Sequence, residues 1–446
     1  MSATSKLGSA TYVFGALGGL LFGYDLGVVA GALLLIKPEL GLSALEVGFV
    51  TSSLLVGCMI GALGCGRLAD RIGRRGLVVA AGAVFGVGCL VAAVAPNLGI
   101  IVTGRFVMGL AVGALSMTVP IYLSEIAPAR VRGALSGLNQ LMISSGILIA
   151  YLINLGLSDG EEWRVAFGLA VVPAVALVIG VYFQPESPRW LMQRAREDDA
   201  RAVLARITDD VDGEVARIRE AARSGVGALL KDRRVRRVLF IGVGVAFLQQ
   251  IIGINTIIYY APTILTALGF GKSAALLANA GLGALTVVVT VIMLMVVDRI
   301  GRRRPLIYGA VAMAVAMAAL GTVFSVAGLK GGGAVGWLAI LCLALFKISF
   351  SMSWGGMTWI LLGEVFPLNV RGPAMSLATF ANWSGNLFVG LFFPVLLGVG
   401  TGLVFYIFAA VGVISCVFAI RFVPETRGQS LEQIEQQLVP DLRGAV

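Results

Sequence analysis

Two charges stand where charges are expensive. Asp25 is the only charged side chain in the apolar run 11–36, near its middle, within Gly18-Gly19-Leu20-Leu21-Phe22-Gly23-Tyr24-Asp25-Leu26-Gly27. Arg105 holds a similar place in a later run, in Thr103-Gly104-Arg105-Phe106. About 20 apolar residues suffice to cross a bilayer, and a charge at the centre of such a run costs at least about 2.5–3.5 kcal/mol. Asp25 must pair with a cation, face water or hold a proton. Pairing with Arg105 relieves both groups. The pair either works on a proton or only ties two helices together. If it separates during a cycle, protonation and conformation become linked. The sequence contains no His, so a proton carrier near neutral pH has to be a carboxylate.

The elements that position these residues are membrane helices. The chain has 446 residues, 58% hydrophobic and 13% charged, against about 25% charged in soluble domains. Its apolar runs recur along the whole length without strict alternation, which points to helices rather than a closed barrel. Twelve spans are expected, at 11–36, 47–66, 77–95, 99–121, 134–156, 164–184, 237–267, 274–297, 305–327, 335–363, 373–398 and 401–422. All but six of the 34 Lys and Arg fall on one side of these spans. The exceptions are Lys37, Arg164, Lys272 and Lys330 opposite, and Arg105 and Lys347 inside helices. That asymmetry places both termini in the cytoplasm of a multi-pass protein of the cytoplasmic membrane. It also accounts for the net charge of +10 without nucleic acid. The five cysteines (58, 65, 89, 342 and 416) have no metal-ligand spacing and read as packing. No cofactor or metal is expected.

The chain repeats itself. Asp70-Arg71-Ile72-Gly73-Arg74-Arg75 returns as Asp298-Arg299-Ile300-Gly301-Arg302-Arg303. Ser124-Glu125-Ile126-Ala127-Pro128, ending at Arg132-Gly133, returns as Gly363-Glu364-Val365-Phe366-Pro367, ending at Arg371-Gly372. Pro185-Glu186-Ser187 returns as Pro424-Glu425-Thr426. The fold class is therefore an all-α membrane protein of twelve transmembrane helices in two pseudo-symmetric six-helix halves, the plan of a secondary transporter with its substrate held between them. The expected divisions are an N-terminal half (1–185), a charged linker with short helices (186–236), a C-terminal half (237–423) and a polar tail (424–446).

These repeats, with Gly23-Tyr24-Asp25, Gly66-Arg67-Leu68-Ala69-Asp70-Arg71, Pro120-Ile121-Tyr122-Leu123-Ser124-Glu125, Pro185-Glu186-Ser187-Pro188-Arg189-Trp190, Gln249-Gln250-Ile251-Ile252-Gly253-Ile254-Asn255 and Pro424-Glu425-Thr426-Arg427-Gly428, resemble the sugar porter family of the major facilitator superfamily over essentially the full length. The resemblance implies the major facilitator fold and alternating access, with Asp25 as proton acceptor and Arg105 as its modulating arginine. It also implies sugar contacts from Gln140, Gln249, Gln250, Asn255, Trp359, Asn382 and Trp383. Neutral amides and aromatic faces suit a polyhydroxylated ligand. Gln249 and Gln250 lie six and five residues before Asn255, a poor fit to one helical face unless the helix breaks near Gly253. Tyr259 and Tyr260 are candidates for an outer gate or for packing. Asp70, Arg71, Arg74, Arg75, Glu125 and Arg132, with Asp298, Arg299, Arg302, Arg303, Glu364 and Arg371, suggest ion pairs that latch the cytoplasmic side, or merely solvated helix ends.

By the same resemblance, Ile147 and Asn382 match hexose carriers, D-glucose first, whereas Thr286, where many relatives carry an Asn, weakens the claim to a particular hexose. Lys347 has no family role and is expected to snorkel outward. The partners expected are a monosaccharide, a proton and membrane lipid, with the protein acting as a monomer. A facilitative uniporter, a porter for xylose, galactose or inositol, and a sugar sensor remain alternatives. No nucleophile–base pair, nucleotide loop or metal cluster points to an enzyme.

Overall fold

A computed structural model describes residues 9–126, 132–158, 160, 162–223, 233–327, 333–366 and 371–427. Among the described residues there is no strand, and twelve helices are long and apolar enough to cross a membrane. Spans 1 to 6 are Ala16–Glu39, Ala44–Ile72, Arg74–Ala93, Leu98–Ile126, Gly137–Gly156 and Trp163–Tyr182. Spans 7 to 12 are Val235–Ala267, Lys272–Val297, Arg303–Val326, Ala334–Val365, Gly372–Val399 and Thr401–Phe422. Each expected run falls on one of these helices. Helical spans satisfy their own backbone, which hydrocarbon demands. The exterior carries large apolar side chains such as Leu63, Ile179, Phe183, Met295 and Leu341.

Within the first six spans, small residues set the packing. Span 1 places Gly19, Gly23, Gly27 and Gly31 four apart on the face that meets span 5. A Cβ on Gly23 would lie 1.9 Å from the Ile143 carbonyl oxygen, and one on Gly27 2.8 Å from that of Ile147. Backbones this close exchange dispersion contacts that lipid cannot offer. Asn154 fastens the seam by donating from Nδ2 to the carbonyls of Gly27 (3.2 Å) and Val28 (3.1 Å). Span 2 meets span 4 in the same way, through Gly57, Gly61, Gly109 and Gly113. The two sets of six spans meet mainly where span 2 packs on span 11 and span 5 on span 8.

Two spans of the second set are interrupted. Span 7 stops at Ile251 and restarts at Ile254, with Gly253 between at φ +102°. A side chain there would adopt a strained backbone and collide with the Phe408 ring. Span 10 holds a π-helical turn, Ser351–Gly355, between Ala334–Phe350 and Gly356–Val365. The break in span 7 falls at Gly253, where one would reconcile the amide spacing; the π turn is not foreshadowed.

The charged segment after span 6 forms short helices Pro188–Gln193, Glu197–Leu204 and Val211–Arg223. Ser187 caps the first of them, and Leu204, Val215 and Ile218 make a small separate core. They dock where span 2 ends: Trp190 Nε1 and Arg194 Nη2 donate to the Asp70 carbonyl at 2.9 and 2.8 Å. The end of the bundle that carries these helices and both Arg-rich turns is the basic end. The opposite one is the far end.

Candidate functional site

Asp25 and Arg105 meet. Span 1 turns its glycine face to span 5 and its carboxylate toward span 4, where Arg105 Nη1 donates to Asp25 Oδ1 at 3.3 Å. The two side chains are 0% and 1% exposed, which removes the pair from water altogether. Arg105 Nε donates to the Val50 carbonyl of span 2 at 2.6 Å, and its guanidinium lies 5.9 Å from the Phe167 ring centroid. Asp25 Oδ2 is buried with no hydrogen-bond partner. The carboxylate is therefore held by one oxygen only. Tyr24 fixes the neighbouring turn by donating from its hydroxyl to the Ala166 carbonyl at 2.7 Å.

The amides converge on a second site. Gln249 Nε2 donates to the carbonyls of Trp354 (2.7 Å) and Gly355 (3.0 Å), which the π turn presents to it. Gln249 Oε1 accepts from Asn382 Nδ2 at 2.7 Å, and that nitrogen also reaches the Ala246 carbonyl at 2.8 Å. Gln250 Nε2 donates to Asn382 Oδ1 at 3.0 Å, and Asn255 Nδ2 donates to Gln250 Oε1. The left-handed Gly253 is what lets Asn255 turn back onto Gln250. Trp383 stands on the same helix as Asn382, with Nε1 donating to Ser116 Oγ at 3.3 Å and its ring 5.2 Å from that of Phe22. Gln140 and Trp359 are half-buried and stay outside this hydrogen-bonded network. Thr286 turns its hydroxyl back to the Leu282 carbonyl at 2.8 Å.

Toward the far end both tyrosines are buried, Tyr259 to 2% and Tyr260 to 3% exposure. The Tyr260 hydroxyl lies 3.1 Å from Thr51 Oγ1 of span 2, and both hydroxyls reach the Gly390 carbonyl of span 11 at 3.4 Å. Tyr259 pairs with Asn386 at 3.4–3.5 Å. Asn386 escaped the sequence reading, although it stands one turn beyond Asn382 on the same face. Trp354 escaped it too, because it contributes a carbonyl rather than a side chain.

At the basic end the charges form twin clusters. Arg74 reaches Asp70 (Nη1, 3.3 Å) and Glu125 (Nε, 3.3 Å), and Ser187 Oγ donates to Glu125. Glu186 accepts from the backbone N–H groups of Arg74 (3.0 Å) and Arg75 (3.1 Å). In the second set, Arg302 Nη2 reaches Glu364 at 2.8 Å and Thr426 Oγ1 donates to Glu364 at 2.6 Å. Glu425 accepts from the backbone of Arg302 (2.9 Å) and Arg303 (3.2 Å). Burial raises the Glu425 proton affinity, but these amides, with those of Thr426 and Arg427, outweigh it and hold the carboxyl below its usual range. These described pairs run within one set of six spans and none bridges the two. Arg71 and Arg299 are exposed and make no ion pair among the described residues. The side chains of Arg132, Asp298 and Arg371 lie outside the described residues, as does the tail from 428.

Lys347 corrects an expectation. It does not snorkel: it is 2% exposed, with Nζ 5.2 Å from the centroid of the Tyr151 ring. Its stretch of span 10 packs against spans 7, 8 and 9, and Tyr151 of span 5 covers its Nζ.

Twelve membrane helices, a buried acid–cation pair and an amide network beside a broken helix define a membrane carrier of the major facilitator fold. The chain belongs to the sugar transporter family: the profile described as "Sugar (and other) transporter" matches residues 11–438. It is 43% identical over 432 residues to the glucose transporter GlcP of Staphylococcus epidermidis, covering 96% of each chain. It is 38% identical over 432 residues to the galactose-proton symporter of Escherichia coli, covering 95% of this chain and 93% of that one. Among solved structures it is similar to the proton:xylose symporter XylE bound to 6-bromo-6-deoxy-D-glucose. There the TM-score is 0.83 and identity 32%, over 96% of this chain and 98% of that one.

Proposed function

We propose that the protein carries a monosaccharide, D-glucose first, together with a proton across the cytoplasmic membrane, with its basic end in the cytoplasm. The two sets of six spans rock about the sugar by alternating access. Gln249, Gln250, Asn255 and Asn382 exchange bonds among themselves for bonds to sugar hydroxyls. Trp383, Trp359 and Gln140 complete the contacts. Tyr259 and Tyr260 cover the sugar from outside, and the twin charge clusters stiffen the cytoplasmic ends. Asp25 carries the proton and Arg105 holds the carboxylate between loads.

The observation that carries this reading is the Asp25–Arg105 pair, sealed from water with Asp25 Oδ2 unbonded. Relatives described as a glucose transporter and as a galactose-proton symporter support the substrate class and the coupling. The test is uptake of labelled glucose into proteoliposomes with and without an inward proton gradient. Wild type should accumulate glucose about tenfold per pH unit for one proton per sugar, since a pH unit is worth about 1.4 kcal/mol. Asp25→Asn should exchange glucose but not concentrate it. Full accumulation by the mutant overturns the proton assignment, and simple equilibration by wild type overturns symport. Uptake of xylose, galactose or inositol but not glucose overturns the choice of sugar.

A further inference from the structure

Lys347 is the buried charge to which the transport reading gives no task. Its neighbours offer it no anion. Spans 5, 7 and 9 contain no Asp or Glu, and span 8 ends before Asp298. The acid of span 10, Glu364, lies 17 residues further on, about 25 Å along a helix, and is engaged by Arg302 and Thr426. The other ionisable groups on the helices around it are Tyr151, Tyr259, Tyr260, Tyr308 and Cys342, with the cations Arg236, Arg237, Lys272, Arg303 and Arg304 near span ends. None of them is a carboxylate. Among the described residues its one charge partner is the ring face of Tyr151.

That contact crosses between the two sets of spans. Tyr151 belongs to span 5, and Lys347 to span 10. The Tyr151 hydroxyl donates to the Ile258 carbonyl of span 7 at 2.9 Å. Its ring lies so close to span 8 that a Cβ on Gly283 would approach it to 2.9 Å. The ring is thus a wedge from the first six spans driven between spans 7, 8 and 10, toward the far end, which is closed where Thr51 of span 2 meets Tyr260 of span 7 and span 1 packs on span 7. A ring face returns only part of what an ammonium loses on leaving water.

We propose that Lys347 biases the alternating-access equilibrium: with the far end closed its ammonium has only the Tyr151 ring, and opening the far end withdraws the ring and lets water in, so the lysine favours opening. This rests on the alternating-access reading but on neither proton coupling nor the identity of the sugar.

Hydrogen exchange of the full-length protein in lipid nanodiscs tests it, read by mass at both ends of the bundle. Lys347→Met keeps the side-chain length and removes the charge. It should slow exchange about tenfold at the far end (Leu148–Gly156 and Ala334–Phe346) and speed it at the basic end. Tyr151→Leu should do the reverse, while Tyr151→Phe, which keeps the ring, stays within about twofold of wild type. In a Lys347→Met background, Tyr151→Leu should lose most of its effect, since the coupling between neighbours is what such a cycle isolates. Lys347→Gln serves as a second neutral replacement. Additive effects, or both ends moving in the same direction, overturn the proposal, because a lysine that merely packs would loosen or tighten the bundle as a whole. If glucose, xylose, galactose and inositol, each at saturation, all leave the exchange of wild type unchanged at both ends, the failure lies with the transport reading instead.

Discussion

The two sets of six spans are alike at their ends and unlike in their middles. At the basic end, Arg74–Glu125–Ser187 and Arg302–Glu364–Thr426 form the same triangle, each beside a glutamate that caps backbone N–H groups. Inside the membrane the correspondence fails. Gly23-Tyr24-Asp25 of span 1 has its counterpart in Gly253-Ile254-Asn255 of span 7, so an acid faces an amide across the repeat. Arg105 stands 20 residues before Glu125, and the residue 20 before Glu364 is Ala344, one turn from Lys347. The first set therefore holds a closed acid–cation pair. The second holds an amide network and a cation without an acid. The repeated ends build a frame, and the divergent middles are what the proposed function divides between proton and sugar.

The sharpest way to break this comparison is to remove the cation from the pair. Arg105→Met should cost about 3–5 kcal/mol of stability, because it strands a buried carboxylate. Asn255→Ala, its partner's counterpart, should cost about 1–2 kcal/mol. Thermal unfolding in detergent reads both, and equal losses would erase the distinction. Next comes the packing of the frame: Gly23→Ala should destabilise by roughly 1–3 kcal/mol or more, as its methyl meets the Ile143 carbonyl. Gly281→Ala, with nothing within 4 Å of the new methyl, should stabilise by about 0.4–1 kcal/mol. A Gly23→Ala protein as stable as wild type would show that the seam can relax.

Smaller effects sharpen the picture at the site. Gln250→Ala should weaken glucose binding about tenfold, or 1.4 kcal/mol, with expression unchanged; an unaltered Kd by calorimetry would remove span 7 from the sugar site. Least of all, Glu186→Gln and Glu425→Gln should each cost about 0.5–1.5 kcal/mol, as capping hydrogen bonds do, and cost the same. For Glu425 the carboxyl is held below its usual range. Its contribution is therefore present above the unfolded-state value of about 4.3 and is lost as pH falls through the lower folded value. Melting followed from pH 6 downward should lose that part of its slope in Glu425→Gln.

The spans were legible because hydrocarbon leaves the sequence few alternatives: each expected run is a helix, and the spacing of Gln249, Gln250 and Asn255 pointed to the break that Gly253 makes. The meeting of Asp25 and Arg105 was legible from cost alone. The π turn at Ser351–Gly355 was not, since neither a proline nor a polar run marks Ser-Met-Ser-Trp-Gly. What it supplies is two carbonyls, which no side-chain pattern announces. Lys347 was misread for a related reason. A lysine's long stem normally lets it escape to the membrane surface, and here neighbouring helices and the Tyr151 ring bury it instead. The basic-end charges were found by repetition, but repetition could not say that the described pairs stay within each set of spans.

The pairing of Asp25 with Arg105 has a consequence for the order in which the protein comes to exist. The hydrogen bonds and the ring contact that hold Asp25 against Arg105 lie within the first six spans, from Asp25 through Val50 to Phe167. A chain emerging from a ribosome at ~5–20 residues per second needs tens of seconds to deliver the rest. The acid can be placed in the bilayer, already neutralised by its arginine, before the first glutamine of span 7 has been synthesised. The pair's hydrogen bonds are thus completed first, and the later spans, with span 7 packing against span 1, finish its burial.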